Sequence, residues 1–157
     1  MQRLRRWESV GLLLLLTACG RSDVSWDEVA RVQSPDAARD AVLIERNGGA
    51  TTSFGYEVFV VPRDHAVKKG ATGALASLYA ATRNAQAYGV NLRWQARDTL
   101  AVEYLSARDA VVHDSALTRR RDAVRVVLRP GVRDPDAPSG GMRYNIGHPN
   151  TSRPNDR

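Results

Sequence analysis

In several stretches of this chain apolar side chains recur at every second position. Phe54, Tyr56, Val58 and Val60 alternate with Gly55 and Glu57, the period of a strand with one face covered, and Pro62 ends the run. VNLRWQ, then ARD, then TLAVEYL predicts strand, tight turn and strand, with Leu100, Val102 and Tyr104 on one face. AVRVVLR sets Val124, Val126 and Leu128 inward against Arg125 and Arg129 outward, which predicts an antiparallel strand with one face in water. Asp40 to Arg46 departs from alternation. Its continuous Ala41-Val42-Leu43-Ile44 suits a central strand covered on both sides. Ala110-Val111-Val112 adds a short strand before a basic turn at Arg119 to Asp122.

Between these runs lie two informative connections. Ser34-Pro35-Asp36 is turn chemistry, because proline fixes φ and aspartate can bond the backbone two residues on. Asn47-Gly48-Gly49-Ala50-Thr51-Thr52-Ser53 concentrates glycine and hydroxyl groups. One reading makes Asn47, Gly48, Gly49, Thr51, Thr52 and Ser53 a polar loop for an anion or a sugar. The other, which local chemistry favours, is a wide hairpin connection whose hydroxyls satisfy neighbouring backbone groups. No helix or Gly-Lys-Thr follows, which excludes a P-loop.

The first 18 residues read differently. Arg3, Arg5 and Arg6 precede the apolar run Val10 to Leu16, which is interrupted only by Gly11. That run is far shorter than the ~20 residues a bilayer-spanning helix needs and matches a secretory signal. It ends in Leu16-Thr17-Ala18-Cys19, which resembles the lipobox of bacterial lipoproteins. The resemblance implies diacylglycerol on the Cys19 sulfur, cleavage before Cys19, further acylation of the new amino terminus and anchoring to a membrane. Two or three acyl chains make such an anchor stable where one binds only marginally. Gly20 in place of aspartate implies, by the same resemblance, sorting to the outer membrane and a domain facing the periplasm.

The expected organisation is a signal peptide over 1–18, an acylated tether over 19–33 whose end Trp26 docks, a β domain over 34–130 and a Pro/Gly-rich tail over 131–157. Five of the seven prolines (Pro130, Pro135, Pro138, Pro149 and Pro154) lie from residue 130 onward. That tail is expected to be extended or disordered, with Met142 and Tyr144 able to pack back.

Composition then narrows the function. Cys19 is the only cysteine, so a modified Cys19 leaves no thiol for a disulfide, a redox centre or a thiolate metal site. Losing Arg3, Arg5, Arg6 and Glu8 lowers the net charge from +6 to +4. The excess lies mainly in Arg119-Arg120-Arg121 and the tail, not on a patterned face, which argues against nucleic acid. His65, His113 and His148 lack metal-like spacing and are expected at the surface. There is no Gly-x-Ser-x-Gly. Glu57 and Glu103 could meet across a sheet as a carboxylate pair, an arrangement any β protein offers. No cofactor, metal or catalytic residue is expected.

Two further resemblances bear on the fold. Arg31, Gln33, Asp36, Ala41 and Val42 echo Arg93, Gln95, Asp98, Ala101 and Val102, and both segments resemble the Ser-Pro-Asp blade hairpins of β-propellers. A propeller needs at least four blades, which two echoes cannot supply. SPD followed by DAV, then GGATTSFGYEV, YGVNLRW and GGMRYN, together resemble a group of small exported bacterial proteins of uncharacterised function, over roughly residues 34–145. Ala37 replaces that group's glycine after Ser-Pro-Asp, which implies a wider turn. The alanine-rich stretch 71–88 has helical propensity, with Leu75, Leu78 and Tyr79 at helical spacing, but Gly70, Gly73 and Gly89 bracket it. The resemblance favours strand, turn, strand, with Leu75 to Ala81 as the first strand and a turn at Thr82-Arg83-Asn84. The expected fold is mainly β, a small antiparallel sheet, meander or sandwich. The expected function is a lipid-anchored cell-envelope protein whose β domain binds another envelope protein or a polymer without catalysis. The alternative is an enzyme or enzyme accessory acting on an envelope polymer.

Overall fold

The computed structural model describes residues 24–113 and 123–138. Cys19, the basic run Arg119 to Arg121, His148 and residues 139–157 lie outside the described residues. The described chain is mainly β and, among these residues, has no helix.

Ten strands follow in order: β1 Ser25–Gln33, β2 Arg39–Asn47, β3 Gly55–Pro62, β4 Ala76–Tyr79, β5 Arg83–Asn84, β6 Ala87–Tyr88, β7 Val90–Ala96, β8 Thr99–Tyr104, β9 Asp109–Val112 and β10 Arg125–Arg129. They form a five-stranded sheet β1-β2-β3-β4-β9, a three-stranded sheet β10-β8-β7 and a ribbon β5-β6. The two larger sheets pack face to face. Ala41, Leu43, Tyr56, Val58, Ala76 and Leu78 of the first meet Val90, Leu92, Leu100, Val102, Tyr104 and Val126 of the second in one core. Along one border β7 runs beside β1 and Trp94 Nε1 donates to Val32 O at 2.9 Å; along the other β9 runs beside β10.

β2 sits at the centre of this arrangement because its apolar run can be buried on both sides. Ala41 and Leu43 face the inter-sheet core. Val42 and Ile44 join Phe59 in a second cluster, covered by Val67, Ala71 and Ala74 from the connection after β3 and flanked by Trp26. Each fully buried aliphatic contributes roughly 1.5–3 kcal/mol, so this strand carries a large share of the core.

Two carboxylates accompany that strand into the interior. Asp40, 3 % exposed, accepts from Arg31 Nη1 at 2.8 Å and from the Asp64 amide at 2.9 Å. Burial pushes its pKa up, but the Asp64 amide and the Arg31 guanidinium outweigh burial and hold it below the ordinary aspartate value. Glu45, 1 % exposed, accepts from Tyr56 Oη at 3.1 Å and lies 3.5 Å from Arg83 Nη1. Arg83 is stacked between Phe54 and Tyr88, its guanidinium carbon 3.3 Å and 4.4 Å from the two ring centroids, and Nη2 donates to Tyr88 Oη.

The antiparallel strands expected at Asp40 to Arg46, Phe54 to Val61, VNLRWQ, TLAVEYL and Ala110 to Val112 are present. The two echoed segments are both hairpins, β1-β2 and β7-β8. Four expectations are corrected. The segment read as a tether is strand β1 from Ser25 onward, held in antiparallel register from Ser25↔Asn47 to Gln33↔Asp40; its mixed polarity is that of an edge strand, and Trp26 packs on Phe59 at 6.2 Å between centroids. β10 is parallel to β8, not antiparallel. Its neighbour in sequence, β9, belongs to the other sheet, and that crossing lets the chain re-enter beside β8 in the same direction. Thr82-Arg83-Asn84 is not the turn: Arg83 and Asn84 form β5, and the turn falls at Ala85 and Gln86, where the Gln86 amide donates to Asn84 Oδ1 at 2.9 Å. Finally, Gly131, Val132 and Asp134 donate backbone hydrogen bonds to Leu105, Tyr104 and Gln86, so the domain runs past 130.

The Ser-Pro-Asp turn stays tight despite Ala37. Asp36 Oδ1 accepts from Ser34 Oγ at 2.6 Å and the Ala38 amide at 3.2 Å, and Ala37 itself takes the left-handed conformation with φ 55°, where the resembled group has glycine.

Candidate functional site

The outer face of the five-stranded sheet, the one turned away from the inter-sheet core, has two unequal halves. Register places Arg46, Gly55, Tyr79 and Asp109 side by side in one row and Ile44, Glu57, Ser77 and Val111 in the next. Val42, Ile44 and Phe59 disappear under the connection after β3. Among the described residues nothing covers the rows around Arg46, Glu57, Ser77 and Tyr79 in this way, and they form the floor of an open groove of about 340 Å³. The 48–54 loop supplies one wall through Gly48, Thr52 and Ser53, and Val24 lies at the same end.

Within that groove the polar side chains are already engaged. Arg46 Nη1 lies 2.6 Å from Glu57 Oε1, and its guanidinium carbon sits 5.7 Å from the Trp26 ring centroid. Ser77 Oγ is 2.7 Å from His113 Nε2. His113, expected simply at the surface, is half-buried and extends the β4-β9 pairing by donating its amide to Leu75 O at 2.8 Å. Tyr79 Oη accepts from the Ser53 amide at 3.1 Å, tying the loop to β4, and Arg108 stacks over the Tyr79 ring at 5.5 Å.

The glycine- and hydroxyl-rich loop uses its polar groups on itself. Asn47 Oδ1 accepts from the Gly49 amide at 2.9 Å, and Gly49 O accepts from both the Thr52 amide at 3.1 Å and Thr52 Oγ1 at 3.2 Å. A Cβ on Gly48 would stand 2.8 Å from Thr52 Oγ1, and Gly49 has φ 99°. The amide donors at 49 and 52 are therefore consumed within the loop and that at 53 by Tyr79 of β4, the behaviour of a wide hairpin connection. Of the six loop residues singled out in the sequence, Gly48, Thr52 and Ser53 line the groove, whereas Asn47, Gly49 and Thr51 do not.

The carboxylate pairing considered for Glu57 and Glu103 does not occur. Glu57 is on β3 with Arg46, and Glu103 is on β8 of the other sheet, paired with Arg93. Among the described residues, the closest approach to a nucleophile and base is Ser77 with His113. Acyl transfer also needs donors aimed at a developing oxyanion, and β4 is flanked by β3 and β9, whose ladders occupy the strand amides around Ser77. The groove is thus better equipped to hold a ligand than to transform one. Arg46, Ser77, Tyr79 and His113 were not singled out as site residues from the sequence, because only the β2-β3-β4-β9 register brings them together.

Comparison with protein-family models, with curated proteins and with solved structures gave no match in any of the three.

Proposed function

We propose that this is a lipid-anchored envelope protein, held in the outer membrane through acylated Cys19 with its domain facing the periplasm, and that its β domain is a non-catalytic binding module. The observation that carries the binding reading is the uncovered half of the outer sheet face. There a solvent-open groove offers an ion pair, hydroxyls and an aromatic ring on rigid strands, a mix that suits adhesion to a polar partner. Anchoring is supported by the signal-like run and Leu16-Thr17-Ala18-Cys19. Cys19→Ala is expected to move the protein from the membrane to the soluble fraction; a membrane-retained Cys19→Ala protein would refute the anchor.

The binding reading is tested by in-cell crosslinking of the tagged, acylated protein with mass spectrometry of what copurifies, alongside Arg46→Ala/Tyr79→Ala. One dominant envelope partner or polymer, lost in the double variant, is expected. A partner captured equally by the variant would place the interaction elsewhere on the domain. The second reading, an enzyme or accessory acting on an envelope polymer, draws on Ser77 with His113 and on Thr52 and Ser53 converging with Glu57 in one groove. It requires covalent labelling of Ser77 by a fluorophosphonate and loss of that labelling in His113→Ala.

A further inference from the structure

The end at which the chain enters the sheet bears on what reaches the groove. β1 begins at Ser25, opposite Asn47, so the chain enters the domain at the end of the sheet that carries the 48–54 loop. Val24, 37 % exposed, lines the groove. Cys19 is five residues before Val24, and five residues of extended chain reach at most about 18 Å. The nine-residue β2 is roughly 30 Å long, which puts the Ser34–Ala38 and Arg97–Asp98 turns that much farther along the domain. An acylated Cys19 would therefore keep the groove end within about 18 Å of the headgroup layer, with the opposite turns roughly 30 Å farther along the strand direction.

Resting on the Cys19 anchor proposed above, we infer that the groove end faces the bilayer and that the groove takes a zwitterionic phospholipid headgroup, phosphate on Arg46 and ammonium on Glu57. The charge pattern selects this occupant. Of the residues lining the groove, Arg46 and Glu57 are the charged pair, in contact and with side chains 44 % and 18 % exposed, and at the Tyr79 end Arg108 over the ring and Asp109 beside it add one charge of each sign. Arg46 is the more exposed partner, whereas Glu57 is largely buried and needs another cation in place of Arg46 if the pair opens. A ligand bearing both charges gives each partner a replacement. A purely anionic headgroup would engage Arg46, through the paired donors that suit phosphate, while leaving Glu57 beside its negative charge. Thr52 and Ser77 supply hydroxyls within the same groove, and Val24 and Tyr79 supply the apolar and aromatic contact of an interfacial surface.

The test uses two preparations of the full chain. The acylated protein goes into vesicles of phosphatidylethanolamine and phosphatidylglycerol doped with a gadolinium-chelating lipid, and backbone amide intensities are read by NMR. Thr52, Ser53 and Tyr79 are expected to lose most of their intensity, while Arg97 and Asp98 keep theirs. The Cys19→Ala chain is titrated in solution with dihexanoyl phosphatidylethanolamine and dihexanoyl phosphatidylglycerol. Groove amides are expected to shift with the first at concentrations at least tenfold lower than with the second, and Glu57→Gln, checked for unchanged signal dispersion, is expected to remove that preference. Failure of the acylated protein to float with vesicles would refute the anchor, and the titration would still report on the groove. Anchored protein broadened at Arg97 and Asp98 instead, equal response to the two lipids, or groove shifts driven only by an added protein partner would each overturn the headgroup assignment.

Discussion

Replacing Gly89 by alanine tests how rigidly the interior is specified. Gly89 follows β6 with φ 76° and donates its amide to Thr82 O at 2.7 Å. A Cβ there would lie 2.7 Å from Tyr56 Cζ and 3.1 Å from Cε1, and closer still to Oη. Tyr56 is 1 % exposed and donates to Glu45 Oε2 at 3.1 Å, so the ring has no room to retreat without breaking a buried bond. The left-handed conformation costs an alanine about 1–2 kcal/mol, partly offset by the ~0.5–1 kcal/mol of chain entropy that glycine loses on folding, for a net cost near 1 kcal/mol. Overpacking a core adds about 1–3 kcal/mol. Gly89→Ala should therefore cost about 2–4 kcal/mol in urea unfolding.

Gly131→Ala isolates the backbone part, since Gly131 has φ 82° with no atom of the described residues within 4 Å of its would-be Cβ, and should cost only about 1 kcal/mol. Adding Tyr56→Phe separates the rest. On its own that change removes a hydrogen bond to a buried carboxylate, worth about 1.5–3 kcal/mol. Beside Gly89→Ala it should cost about 1 kcal/mol less, because the nearest clashing atom leaves with the hydroxyl while Cζ stays. Equal stability of Gly89→Ala and Gly131→Ala, or an unchanged cost of Tyr56→Phe in the two backgrounds, would refute the steric account.

Three further outcomes follow from the same geometry. Ala37→Gly should raise stability by about 0.5–1 kcal/mol, because Ala37 sits at φ 55° where glycine is unstrained; a lower melting temperature would contradict this. Asp40 is held below the ordinary aspartate value by the Asp64 amide and Arg31 against burial, so its stabilisation is present above about pH 4 and is lost as pH falls through the folded value. Asp40→Asn should thus cost about 1–3 kcal/mol at pH 7, with the gap to wild type closing below pH 4; a gap that stays constant to pH 3 would disprove the linkage. Trp94→Phe should cost about 1–3 kcal/mol in unfolding experiments by leaving Val32 O without its donor, and should expose the β1 amides to faster hydrogen exchange than those of β3.

The strands were legible wherever one residue's side-chain direction was fixed by its own neighbours. Leu100, Val102 and Tyr104 alternate and are buried, and Ala41 to Ile44 run continuously because β2 has one core on each side. β1 was misread because an edge strand is sorted by its partner. Trp26, Glu28 and Arg31 look like tether chemistry until β2 supplies the register that sets Trp26 against Phe59 and Arg31 against Asp40. The direction of β10 was illegible for a related reason. Alternation at Val124, Val126 and Leu128 fixes which face is inward but says nothing about whether the neighbour runs parallel, which depends on β9 having crossed to the other sheet.

The groove was harder to foresee because it is defined by where a covering segment stops. Val67, Ala71 and Ala74 seal Val42, Ile44 and Phe59. At Leu75 the chain turns inward, its amide bonding to Val58 O at 2.7 Å and its side chain fully buried in the inter-sheet core. From there β4 can only add to β3 edge to edge, pairing Ala76 with Val58 through Tyr79 with Gly55, so it extends the sheet and, among the described residues, leaves the rows beyond Ile44 uncovered. Polar residues are needed there for solubility, and the sequence shows them as Arg46, Glu57 and Ser77 scattered over three strands. Their pairing across the ladder converts an ordinary wet sheet face into a rigid, charge-balanced groove. The one loop that drew notice for its composition contributes its wall and spends its own donors on staying folded.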